Sequence, residues 1–153
     1  MANTYYQLYV HSVFAIKFRN AVIGKVWKND FNGIIGNLIN ETGCKTYIVN
    51  GVEDHVHCFF GLNPAVSISD VMRSVKAKSS KWVNESGILQ DRFEWQKGFG
   101  AFSYSHSHVD SVFRYIQNQE EHHKKRSFSE EYLELLTKFE TEHNKKYLFE
   151  DLI

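Results

Sequence analysis

The chain of 153 residues carries 18 Lys and Arg against 18 Asp and Glu, so its net charge is zero, and 42% of it is hydrophobic and 15% aromatic. That composition fits one ordinary globular domain with a sizeable core and excludes intrinsic disorder. Its apolar runs are far too short to cross a bilayer, no signal-type segment opens it, and two cysteines, Cys44 and Cys58, are too few for a disulfide scaffold, so a reduced, cytoplasmic protein is expected.

The charge is unevenly spread. From Ser127 to Ile153 seven acidic residues face three basic ones, a balance of −4, which leaves +4 on residues 1–126. A mildly basic body with an acidic tail is compatible with a nucleic-acid surface without requiring one. Pro64 is the single proline, and no linker, repeat or low-complexity segment divides the chain. One domain over residues 1–126 with a C-terminal extension over 127–153 is expected.

In chain order, YYQLYVHSVFAIKFR (Tyr5–Arg19) is rich in aromatic and β-branched residues and predicts a strand. VWKNDFNGIIGNLINETG spaces Val26, Trp27, Phe31, Ile34, Ile35, Leu38 and Ile39 near the helical period and ends on Gly43. Two strands follow, Lys45–Val49 and about His55–Leu62, joined by a turn around NGVED. Ser67 or Ser69 caps a helix running to Ser86, with Ile68, Val71, Met72, Val75 and Trp82 on its apolar face. FEWQKGFGAFSYS reads as a Gly-interrupted strand, HVDSVFRYIQNQEEHHKK as a helix, and FSEEYLELLTKFETEH as a further amphipathic helix. The order β-α-β-β-α-β followed by helices predicts an α+β, ferredoxin-like antiparallel sheet with helices on one face and C-terminal helices added.

The chemistry concentrates in EDHVHCFFGL. Side chains at i and i+2 of a strand point the same way, with Cα atoms roughly 6–7 Å apart. His55 and His57 therefore share one face, where they either hold a metal ion together or stand as half-exposed polar residues on a solvated surface. His106 and His108 repeat the spacing at a loop-to-helix junction, where solvated residues are expected. On the helix through VFRYIQNQ, Tyr115 and Gln119 lie four residues apart on one flank, and His122 continues it. Arg73, Lys76, Lys78 and Lys81, with Ser79 and Ser80, form either a solvated cationic face or a track for phosphates, to which Lys17 and Arg19 add at the end of the first strand.

Taken together, these pieces resemble the HUH single-tyrosine transposases of the smallest bacterial insertion sequences, including the REP-associated branch. HUH denotes His, bulky hydrophobic, His: here His55-Val56-His57. VHSVFAIKFR, SISDVMRSVKAKSSKWVN, GFGAFSYS and RYIQNQEEHHKK resemble, in order, the family's first strand, the helix after the HUH strand, the strand before the catalytic helix, and the helix carrying the nucleophile. The resemblance covers about residues 5–128. It implies a ferredoxin-like fold, Tyr115 as nucleophile, and His55, His57 and Gln119 as ligands of Mg²⁺ or Mn²⁺; His122, on the same flank of the helix, is expected as an auxiliary group. It also implies single-stranded DNA hairpins as partners, for which the cationic track of Lys17, Arg19, Arg73, Lys76, Lys78, Ser80 and Lys81 is the expected binding surface. A bacterial homodimer is implied, in which one subunit's tyrosine helix can complete the other's site.

Two other readings stand beside that one. A host-adopted hairpin binder would keep the DNA surface without strand cleavage. A zinc-stabilised domain would use His55, His57, His122 and His123 as structural ligands.

Overall fold

The computed structural model describes residues 3–17 and 23–141, and Arg19 lies outside them. β1 (Tyr9–Ala15), α1 (Lys28–Glu41), β2 (Lys45–Gly51), β3 (His55–Gly61), α2 (Ile68–Ser86) and β4 (Gly100–Tyr104) follow the expected order. The sheet runs β2-β3-β1-β4 with every neighbouring pair antiparallel, which is the ferredoxin-like arrangement. A 3₁₀ turn (His106–His108), α3 (Val109–Gln117), α4 (Gln119–His123) and α5 (Phe128–Lys138) complete the described chain.

Strand alternation divides the core between the two faces of the sheet. Val10, Phe14 and Ile16 of β1 and its flank, with Val56, Cys58 and Phe60 of β3, pack against Phe31 and Ile35 of α1 and Val71 and Val75 of α2. The opposite face presents Val13, Phe59 and Phe102, covered by Val112 and Ile116 of α3 and by Phe128, Leu135 and Leu136 of α5. Cys44 and Cys58 are both buried free thiols. Among the described residues no helix is long and apolar enough to cross a membrane.

Local chemistry sets the element ends. The Ser67 hydroxyl accepts from the Asp70 amide at 3.0 Å and starts α2, and Ser127 does the same for α5 through the Glu130 amide at 3.2 Å. The fourth strand is shorter than its sequence suggests because the Lys76 ammonium donates to the carbonyls of Gln96 at 2.7 Å and Gly98 at 2.6 Å, holding that segment as a loop. The helix expected over residues 108–125 is broken. The Asn50 amide, on β2 opposite His57, donates to the carbonyls of Ile116 at 2.9 Å and Gln117 at 3.1 Å. Satisfying those terminal carbonyls from the side ends α3 at Gln117 and pins it beside the histidine strand.

Candidate metal and tyrosine site

β3 begins at His55, so both its first and third side chains, His55 and His57, face the α3–α5 side of the sheet, and both are fully buried. Their solvent-facing alternative is therefore excluded. Their Nε2 atoms approach one carboxylate oxygen, Glu131 Oε1, at 3.2 Å and 2.9 Å. His123 Nε2 approaches the same oxygen at 3.0 Å. The second oxygen, Glu131 Oε2, accepts hydrogen bonds from the Tyr115 hydroxyl and, at 3.2 Å, from the Gln119 amide.

Glu131 reaches this point because α5 lays its stripe of Phe128, Glu131 and Leu135 onto the sheet. Gly100 permits that approach: a Cβ there would come within 2.8 Å of the Tyr132 ring. A carboxylate in an apolar stripe is costly unless ionic and hydrogen-bonded partners surround it, and here those five groups do, with Arg126 as an ion-pair partner at 3.8 Å. Burial opposes its charge, yet the hydrogen bonds from His123, His55 and His57 outweigh burial and hold its carboxyl well below the usual carboxylate range.

Each strand histidine is also held from behind. Asp54 Oδ1 lies 2.7 Å from His55 Nδ1, and His11 Nε2 lies 2.7 Å from His57 Nδ1. Burial works against a charged His55, but its bonds to Asp54 and Glu131 prevail and raise its pKa. Burial takes His57 down to about 4 despite the pull of Glu131, and it takes His11 well below its ordinary value. The phenol of Tyr115 is pushed up, first by burial and then by the Glu131 charge, while Arg126 and Gln119 act to lower it. At neutral pH it is therefore a protonated hydroxyl.

The ligand atoms of His55, His57, His123 and Glu131 all lie within 4.8 Å of one another. Three imidazole nitrogens and one carboxylate oxygen form a donor set suited to a first-row divalent ion. The Gln119 Oε1 atom is buried with no hydrogen-bond partner, so an oxygen donor stands beside that set as well. The residues fit a divalent metal.

Of the residues singled out in the sequence, His55, His57, Tyr115 and Gln119 meet at this point. His122 does not ligate with them; its ring stacks on Tyr115 at 4.8 Å between centroids. His123 takes the inward place because it lies one turn after Gln119 within α4, on the side facing Glu131. His106 and His108 instead bond the Tyr9 hydroxyl and the Ser105 hydroxyl, each at 2.9 Å. The cations of α2 lie on the other side of the sheet. Arg73 pairs with Asp70 at 3.0 Å, Lys78 with Glu41 and Lys81 with Glu85 at 3.8 Å, Ser80 donates to the Ala77 carbonyl at 3.1 Å, and Lys17 pairs with Glu94 at 3.8 Å. His11, Arg126 and Glu131 belong to the site and were not among the expected residues. Glu131 could have been found, since it interrupts an apolar stripe.

A family model described as transposase, IS200-like, matches residues 4–119. The matched span ends before His123, Arg126 and Glu131. Among solved structures, a proposed transposase from Deinococcus radiodurans R1 is similar with a TM-score of 0.63 at 20% identity, over 78% of this chain and 95% of that one. A REP-associated tyrosine transposase bound to a REP hairpin is similar with a TM-score of 0.55 at 13% identity, over 80% of this chain and 73% of that one. At such identities the likeness establishes the fold. No curated protein sequence matches the chain.

Proposed function

The chain belongs to the IS200-like transposase family, whose model spans residues 4–119, and on that premise we propose that it cleaves and rejoins single-stranded DNA at hairpin-marked ends, using Tyr115 as nucleophile. One observation carries this reading: a single carboxylate, Glu131, connects the Tyr115 hydroxyl to the buried pair His55 and His57 within one chain. Neither packing nor capping requires those groups to converge.

In the proposed reaction the Tyr115 oxygen attacks a backbone phosphorus. A 5′-phosphotyrosine bond forms, the bond from phosphorus to the 3′ oxygen breaks, and a 3′-OH is released after protonation by solvent. Glu131 Oε2 orients the hydroxyl by accepting its hydrogen bond, and because its own carboxyl is held far below the usual range the phenolic proton leaves to solvent. Because the new ester keeps the energy of the old one, a second 3′-OH can attack it, return the phenol and join the strands without ATP.

His55, His57, His123 and Glu131 would hold a divalent ion, with Gln119 as a further oxygen donor. When bound, such an ion supplies positive charge against the developing charge on the phosphate. A set this rich in imidazole suits Mn²⁺ better than Mg²⁺, which prefers oxygen. Asp54 and His11 keep the two strand imidazoles oriented. Arg73, Lys78, Lys81, Ser80 and Lys17, on the other side of the sheet or at its end, would contact the hairpin backbone remote from the tyrosine. Dimerisation would bring two such sites to the two ends of an element in the bacterial cytoplasm.

The reading is tested by incubating the protein and its Tyr115→Phe variant with labelled single-stranded DNA from the gene's flanks and Mn²⁺, followed by denaturing electrophoresis. A band of protein plus DNA that is absent from the variant is expected. Hairpin binding with no such band would favour the host-adopted binder.

The donor set itself favours one second reading, a structural zinc centre. Zinc would then be tightly bound in stoichiometric amount and its removal would unfold the chain.

A further inference from the structure

Tyr115 borders a cleft of about 330 Å³ that is lined also by Arg126, Glu131, Glu134, Leu135 and Lys138. Arg126 lies on the connection between α4 and α5, beyond the matched family span. Its Nη2 donates to the Tyr115 oxygen at 3.2 Å and stands 3.8 Å from Glu131 Oε2, and its Nη1 pairs with Glu134. A guanidinium thus touches the atom proposed to attack, at the wall of an accessible cleft that Lys138 also lines.

We propose that Arg126, supported by Lys138, forms the subsite that grips the phosphodiester undergoing attack, making Arg126 a catalytic residue; this rests on the tyrosine reading above. A guanidinium presents parallel N–H donors matched to phosphate oxygens and keeps its charge at all working pH values. Placed against the Tyr115 oxygen, it holds the phosphorus in reach of that oxygen and offsets the charge that grows there. Glu134 holds the guanidinium in the meantime. Its side chain is 64% exposed, and a pair open to solvent on that side holds only weakly, so a phosphate can replace it. Tyr115 and Arg126 act on one phosphate from one chain, so the subsite needs no second copy.

The test compares R126Q, R126K and E134Q on a single-stranded oligonucleotide covering the flanking hairpin, with Mn²⁺. R126Q is expected to slow covalent adduct formation about 100-fold, with R126K recovering part of the rate. E134Q breaks the same ion pair but keeps the guanidinium, and it is expected to match or exceed the wild type. Binding is then measured across a salt series with Tyr115→Phe in every protein. With one phosphate no longer neutralised, R126Q should show a slope of log affinity against log salt that is flatter by about 0.7. A wild-type adduct rate in R126Q, a wild-type slope, or an equal loss in E134Q each overturns the proposal, the last by reducing Arg126 to an anchor for α5. If the wild type forms no adduct, the tyrosine reading fails on its own while the salt slope still decides whether Arg126 meets phosphate.

Discussion

Glu131 joins Tyr115 to the histidine strand: one of its carboxylate oxygens accepts from the Tyr115 hydroxyl, and the other lies 2.9 Å from His57 Nε2. The residue comes from α5, a helix outside the matched family span, yet it occupies the point toward which His55, His57 and His123 all turn.

E131Q keeps the shape of that side chain and removes its charge. Its affinity for Mn²⁺, measured by calorimetric titration, is expected to fall at least tenfold, and its adduct yield about 100-fold. A rise in adduct yield would mean that the carboxylate blocks the site instead of serving it.

The metal-free protein should lose stability in mild acid. His57 titrates at about 4 when folded, and His11 also lies well below its ordinary value, both because burial disfavours their charged forms. In the unfolded chain both titrate near ~6.5. Between those values the unfolded state binds the additional protons, so stability present above about pH 6.5 declines as the pH drops toward 4. His55 works the other way: its raised pKa adds stability below about pH 6.5 that is lost as the pH climbs through the folded value. With two lowered groups against one raised, the thermal midpoint should drop across this window, and less so in H11Q. A midpoint that is level from pH 6.5 to 4.5 would show that the buried histidines do not govern acid stability.

Removing the α2 cations tests where the hairpin lies. Arg73, Lys78 and Lys81 sit in exposed pairs that add little to folding. The triple alanine variant should stay folded and bind the hairpin more weakly, with a salt slope shallower by about 0.7 for each phosphate that is no longer neutralised. Its defect should lie in affinity and not in the adduct rate at saturating DNA, since α2 packs on the sheet face opposite Tyr115. Wild-type affinity and slope would take α2 out of the interface.

His11 supports His57 from behind at 2.7 Å, fixing which ring nitrogen faces Glu131. H11F should keep the fold and lower Mn²⁺ affinity by about 10- to 100-fold. Unchanged affinity would leave His11 as a packing residue.

The sheet order was legible because aromatic and β-branched residues mark the first strand, Ser67 and Gly43 punctuate the helices, and the resulting β-α-β-β-α-β order matches the ferredoxin-like arrangement. The histidine pair and the Tyr115–Gln119 spacing were legible from periodicity and resemblance alone. The break at Asn118 was not, since it depends on Asn50 reaching 66 residues along the chain to the Ile116 carbonyl. His123 was legible only as a ligand of the zinc reading, because a helix continuous through Asn118 puts His122 on the flank of Tyr115 and Gln119. In the sequence Glu131 is one of seven acidic residues of the tail. Only its place between Phe128 and Leu135, both buried, distinguishes it from Glu130 and Glu134. His11 sits in an apolar strand where the sequence shows no partner, because its partner is 46 residues away.

The central claim is that Tyr115 becomes covalently joined to DNA. Protein incubated with the flanking single strand and Mn²⁺ would be digested with nuclease and trypsin, and its peptides weighed by mass spectrometry. The expected result is residual nucleotide mass on the peptide that begins at Tyr115, localised to the tyrosine by fragmentation and missing from Tyr115→Phe. Nucleotide on another residue, such as Tyr104, or no modified peptide under conditions where the strand is cut, would contradict it.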